Sequence, residues 1–161
     1  MQMTAASGKG LVHIIDYTPA HAASFKDLNQ AWIERYFEME ELDHKSLGNP
    51  DGYIIQKGGH ILMAEYNGEI VGTCALIKME NDTFELAKMA VTDKAQGLKI
   101  GRKLGEAAIQ KARELGAKTL MLVSNRKLET AIHLYHRLGF VEVPLEGQDY
   151  KRADIKMEMP L

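Results

Sequence analysis

Little in this chain can be cross-linked, chelated or threaded through a bilayer. Its 161 residues contain one cysteine, Cys74, so an intrachain disulfide framework is excluded. The apolar run around that thiol reads as packing in a reducing compartment rather than as a nucleophile. No apolar run approaches the ~20 residues that span a bilayer. A net charge of -2 leaves no basic footprint for nucleic acid. His13, His21, His44 and His60 are scattered, and His133 with His136 lacks a matching carboxylate pattern, so no metal site is expected. A GxSxG nucleophile elbow is missing too. Residues 1–10 are small and polar without the apolar core of a signal peptide, which predicts a frayed tail on a soluble, cytoplasmic chain.

What is there suits one domain over residues 11–161 with a real core, at 45% apolar and 26% charged residues. Residues 11–17 form a β-rich run. Thr18-Pro19 then opens a helix to about Arg35, with Phe25, Leu28, Trp32 and Ile33 at helical spacing. A short helix over 40–47 is expected to end in the glycine-rich stretch 48–52. Strands over 61–66 and 70–79 meet through Asn67-Gly68, a two-residue hairpin signal, and Asn81-Asp82 turns the chain into a third strand, 84–91. Helices over 98–115 and 126–138 alternate with strands over 118–123, 140–143 and 153–159. The crossover between 84–91 and 118–123 implies one parallel pair. The expected fold is therefore α/β (α+β), with a mixed, mostly antiparallel central sheet flanked by helices.

Chemistry concentrates in 91–104, VTDKAQGLKIGRKL, where a strand runs through a glycine-bearing turn into an amphipathic helix. Amides from Gly97 to Arg102 would stand at a helix N-terminus and favour an anion. Neither GxxxxGK[ST] nor GxGxxG occurs in this segment. A second stretch, 124–140, places Asn125 before a helix on which Ala131 and Tyr135 share a face four residues apart. Read for packing alone, Asn125 is a helix cap and Tyr135 an aromatic filler.

Gln96, Gly97, Leu98, Lys99, Ile100 and Gly101 resemble the (Q/R)xxGx(G/A) pyrophosphate loop of the GCN5-related N-acetyltransferases, and Asn125, Ala131 and Tyr135 resemble that family's Nx(4-5)AxxxY segment. In this order the two cover roughly 84–140. One position departs from the pattern. Lys99 stands where the family usually has a glycine, so the backbone there either keeps φ below zero or bears modest strain.

The resemblance implies the GNAT fold and transfer of an acetyl group from acetyl-CoA to a primary amine, by direct attack in a ternary complex. The cosubstrate's pyrophosphate would meet the Gly97 to Arg102 turn with Lys99 and Arg102 nearby, and its pantetheine arm would pair with Met89, Ala90 and Val91, where the sheet would splay. Asn125 carries over as a polar contact to that arm, with Ala131 leaving it room. Tyr135 carries over as the acid that protonates the thiolate. Glu85 carries over as the base that deprotonates the amine, with a water chain as the alternative. On a regular strand Glu85 shares a face with Met89 and Val91. Family members are often dimers, so a homodimer is a possible state.

Acceptor residues are expected among Trp32, Arg35, Tyr36, Phe37, Tyr150 and Arg152. Two readings stay open. Glu34, Glu38, Glu40, Glu41 and Asp43 form an acidic cluster suited to a polyamine or aminoglycoside, or else a solvated face. Arg35, Lys88 and Arg152 instead suit a carboxylate, and Tyr150 with Arg152 tips the balance towards a small amine or amino-acid-like acceptor. The competing functional class is a non-enzymatic acyl-CoA sensor or interaction module that keeps the loop without a working base.

Overall fold

The computed structural model describes residues 10–95, 97–147 and 149–161. Seven strands form one sheet in the order β1-β2-β3-β4-β5-β7-β6. They are β1 (Val12–Asp16), β2 (His60–Tyr66), β3 (Glu69–Lys78), β4 (Thr83–Val91), β5 (Thr119–Ser124), β6 (Val141–Val143) and β7 (Ile155–Pro160). Every pairing is antiparallel except β4 with β5. This is the mixed, mostly antiparallel architecture expected from the sequence. The helices are α1 (Ala22–Tyr36), α2 (Glu41–Gly48), α3 (Ile100–Glu114) and α4 (Glu129–Leu138).

Local chemistry accounts for the turns. Asn67 and Gly68 both have positive φ, 52° and 79°, which suits the right-handed twist of the β2–β3 hairpin. Asn81 and Asp82 do the same between β3 and β4, at 57° and 55°. The apolar faces of the strands then divide the interior in two. On one side of the sheet α3 lays Ile100, Leu104, Ala108 and Ala112 against Leu62, Cys74, Leu76, Phe84, Leu86 and Leu120. On the other, Phe25, Ile33, Leu47 and Ile54 pack on Ile61, Met63 and Ala75.

Four of the helix boundaries expected from the sequence move. Residues Pro19–His21 form a single 3-10 turn before α1 begins at Ala22. The stretch 48–52 does not simply stop a helix. Asp51–Ile55 continue as a π-helical turn that buries Ile54. Helix α3 starts at Ile100 rather than Leu98, because Lys99 is left-handed, at φ 55° and ψ 35°, and cannot belong to a right-handed helix. Helix α4 starts at Glu129 rather than Arg126, with Leu128 as its cap. The carboxamide oxygen of Asn125 accepts the Lys127 N–H at 2.9 Å, closing a turn of its own, so Asn125 caps no helix.

Among the described residues no helix is long and apolar enough to cross a membrane. The expected tail lies outside the described residues except for Gly10, as does Gln96 of the loop.

Candidate active site

The site begins with an irregularity in β4. Thr73 pairs with Ala90 and Ala75 with Ala87, so two residues, Lys88 and Met89, oppose the single Cys74. Lys88 takes the extra place with φ 55°. Such a bulge bends the strand and reverses its alternation of faces. Glu85, opposite Ile77, therefore lies on the α1–α2 face of the sheet, whereas Met89 and Val91 pack into the α3 core. The regular-strand expectation that these three share a face is corrected: the extra residue at Lys88 shifts the period by one.

Next to the bulge the sheet opens. The β4–β5 ladder runs from Thr83↔Thr119 to Glu85↔Met121 and ends there, while β5 stays paired to β7 as far as Ser124↔Ile155. Residues 86–91 thus present a strand edge with no partner strand on the β5 side among the described residues. A cavity of about 440 Å³ occupies the opening. Glu85 and Tyr135 both line it, and they reach it from opposite sides of the sheet, since Tyr135 packs against the α3 core.

Neither group has a hydrogen-bond partner among the described residues. Burial pushes the Glu85 carboxyl up to about 7; the Lys88 charge pulls it down and Asp149 pushes it up further. Burial likewise pushes the Tyr135 phenol up to about 12, with a smaller contribution from Cys74. The phenol consequently stays protonated. Its ring is fixed edge-on against Phe140, with centroids 6.1 Å apart. Cys74 is fully buried, and burial raises its thiol to about 12, which leaves it inert at neutral pH.

The glycine turn lies at the start of α3. Gly97 has φ 82° and an open flank, so the glycine serves the backbone angle and not a close approach. Lys99 resolves the choice left by the sequence in favour of strain: it is the left-handed cap, and its carbonyl receives the Lys103 N–H at 3.1 Å. The N–H groups of Ile100, Gly101 and Arg102 precede any intrahelical partner, which is the arrangement that attracts an anion. Leu98 packs its side chain into the core below, and the Arg102 guanidinium lies 3.3 Å from Glu106.

Asn125 is occupied within the protein at both ends of its carboxamide, since its nitrogen donates to the Arg152 carbonyl at 2.7 Å. It lines the cavity all the same. Ala131 sits one turn ahead of Tyr135, half-buried.

On the acceptor side the structure brings Trp32, Phe37, Tyr150 and Arg152 to the cavity, while Arg35 and Tyr36 do not line it. Arg35 is exposed and paired with Asp93, and Tyr36 packs tilted against Trp32 with centroids 5.3 Å apart. Arg152 is engaged already: its two terminal nitrogens each lie 2.7 Å from an oxygen of Asp43. Lys88 Nζ, with its side chain 6% exposed, reaches the same carboxylate at 3.3 Å and donates to the Tyr150 hydroxyl at 2.8 Å. Burial alone would raise the Asp43 carboxyl, but the Arg152 fork, the Glu40 N–H and the Lys88 charge together hold it below the usual range.

This network was not read from the sequence. Asp43 belongs to the acidic run that the sequence leaves open as a polyamine or aminoglycoside site or a solvated face, and it is fully buried. The available signal was spacing, because Glu40 and Asp43 are three apart at a helix start and the Glu40 N–H donates to the Asp43 side chain at 2.9 Å.

The fold and the site define a mixed α/β protein whose two parallel strands part beside a bulge, the opened strand leading through a glycine turn into a helix N-terminus. The chain belongs to the acetyltransferase (GNAT) family, whose model matches residues 24–140. It is similar to the uncharacterized N-acetyltransferase YjgM of Escherichia coli, 36% identical over 91 residues that cover 55% of this chain and 54% of that protein. The chain thus spans about half or less of the length of the first curated relatives it matches. Among solved structures it is similar to a GNAT-family acetyltransferase of Staphylococcus aureus, with a TM-score of 0.83 and 24% identity over 92% of this chain and 98% of that one. It is also similar to yncA of Salmonella typhimurium, solved with its cofactor acetyl-CoA, with a TM-score of 0.75 and 19% identity over 92% and 93% of the two chains.

Proposed function

We propose that this chain is an acetyl-CoA-dependent N-acetyltransferase that acetylates a primary amine by direct attack within a ternary complex. The observation that carries this reading is the opened strand edge at residues 86–91, with a carboxyl on one face of the sheet and a phenol on the other, neither hydrogen-bonded among the described residues. An unpaired edge suits the extended, amide-bearing pantetheine arm, which can pair with it as an added strand would. In this reading Met89, Ala90 and Val91 carry that pairing. The free amides at the start of α3, with the Lys99 and Arg102 charges, take the pyrophosphate. Gln96 belongs to the same grip by its place in the motif, and Ala131 leaves room beside Tyr135.

Acetyl-CoA supplies the thioester. The protein supplies proton traffic and position. An ammonium with a reference pKa around 10.4 must lose a proton to become a nucleophile. Glu85 takes it, directly or through water, and its raised pKa of about 7 suits a base that must hold that proton briefly. Tyr135 holds a proton at Oη for the departing thiolate. Two groups with well-separated proton affinities, approaching from opposite faces, divide the acid and base work.

The test is Tyr135→Phe, assayed by thiol release and by calorimetric binding of acetyl-CoA. Transfer is expected to fall about 100-fold, in line with the loss of one general acid, while binding persists. A chain that binds acetyl-CoA but releases no thiol with any amine is a sensor, and that outcome overturns the proposal.

A further inference from the structure

The acceptor end of the cavity has a chemical character that narrows its ligand. Its wall on the α1–α2 side is mostly apolar and half aromatic, built from Trp32, Phe37, Leu42, Tyr53, Ile54 and Ile77, with Asn29 and Ser46 among them. Ile77 is the strand partner of Glu85, so this wall adjoins the base. Trp32 is held by Phe37, with ring centroids 6.3 Å apart, and by Tyr36 behind it. Such a surface rewards an apolar body and penalises a hydrated chain.

Charge sorts the remaining choices. None of the carboxylates that made a polycation attractive, Glu34, Glu38, Glu40, Glu41 and Asp43, lines the cavity, and three of them are paired with cations: Asp43 and Glu40 with Arg152, Asp43 also with Lys88, and Glu41 with Lys45 at 3.1 Å. Apart from Glu85, the carboxylate that lines the cavity among the described residues is Asp149. Lys88 and Arg152 line it too, but Asp43 and Glu40 together already neutralise them. Lys57 and Lys78 also line it, and neither has a carboxylate partner among the described residues; Lys57 Nζ lies 4.9 Å from the centre of the Tyr53 ring. The cations in this lining without a carboxylate partner among the described residues are therefore Lys57 and Lys78, and Lys57 lies against Tyr53 of the apolar wall.

We infer that the acceptor is a primary monoamine with an aromatic or branched apolar body and an anionic substituent, the body seated on Trp32 and Phe37 and the anion met by Lys57 and Lys78. The inference rests on the transferase reading above and specifies its second substrate. A second cationic centre, as in a polyamine or an aminoglycoside, would meet unpaired lysines with one free carboxylate to offset them.

The experiment uses the full chain with acetyl-CoA and a small panel assayed by thiol release. Phenethylamine is compared with phenylalanine and 4-(2-aminoethyl)benzoate, which place a carboxylate beside the amine or beyond the ring, and with spermidine and kanamycin. At least one carboxylate-bearing amine is expected to exceed phenethylamine by about tenfold in kcat/KM, the scale of one charge-assisted contact. Both are expected to exceed spermidine and kanamycin. Replacing Lys57 and Lys78 together by alanine should bring the ratio of carboxylate-bearing amine to phenethylamine close to one, chiefly through KM. If spermidine or kanamycin is the best acceptor, or if the double variant keeps the ratio, the inference fails. Absence of acetyl-CoA binding by calorimetry, or of thiol release with every amine, overturns the transferase reading instead.

Discussion

Glu85 gives the account its pH signature. Held at about 7 by burial, it is ionised and able to accept a proton only above that value. The profile of kcat/KM should therefore rise with pH and reach half its plateau near 7, with Glu85→Gln losing both rate and the inflection. A flat profile between pH 5 and 8 would give the base role to water. Asp43 works in the opposite sense on stability. Its carboxyl is lower in the folded chain than in the unfolded one, so its contribution is complete above the unfolded value of about 3.9 and is lost as pH falls through the folded one. Asp43→Asn leaves the buried Lys88 ammonium without its carboxylate and Arg152 with Glu40 alone, and should cost about 3–5 kcal/mol, read by denaturant unfolding. A cost below 1 kcal/mol would mean that the two cations find other partners.

Among the elements, the loop before α3 and the bulge in β4 show what a sequence pattern reveals and what it hides. The turn at Gly97 and the helix after it were legible because glycine and amphipathic spacing report local backbone. The left-handed state of Lys99 was visible only as a choice, since a non-glycine there depends on whether the surroundings hold it. The bulge was not legible at all. Nothing in 83–91 marks an inserted residue, and so Glu85 was assigned to the face of Met89 and Val91. It takes the partner strand, with Cys74 opposite two residues, to reveal the shift. Asn125 misled for a related reason, because an asparagine before a helical pattern can close a turn as readily as cap a helix.

Lys99→Gly separates the two roles of that residue. Relief of the left-handed strain, offset by glycine's greater unfolded freedom, should raise stability by about 0.5–1 kcal/mol in denaturant unfolding. Loss of the ammonium should weaken acetyl-CoA binding a few-fold at low salt and less at high salt. If binding weakens equally at both, Lys99 acts through the backbone and not through its charge.

For the whole molecule, two cores on opposite faces of one sheet hold apart the strands that define the cleft. The α3 core anchors the loop and Tyr135, while the α1–α2 core carries the aromatic wall and, through Asp43, ties α2 to the bulge and to the segment before β7. Opening β4 from β5 leaves backbone groups without a strand partner, an arrangement that suits an added extended chain. The most direct measurement is amide hydrogen exchange across the chain with and without acetyl-CoA. Slowed exchange is expected within residues 86–91 and 97–102, the strand edge and the α3 N-terminus. Binding that protects neither segment, or protects only residues remote from the β4–β5 opening, would contradict this placement of the cosubstrate.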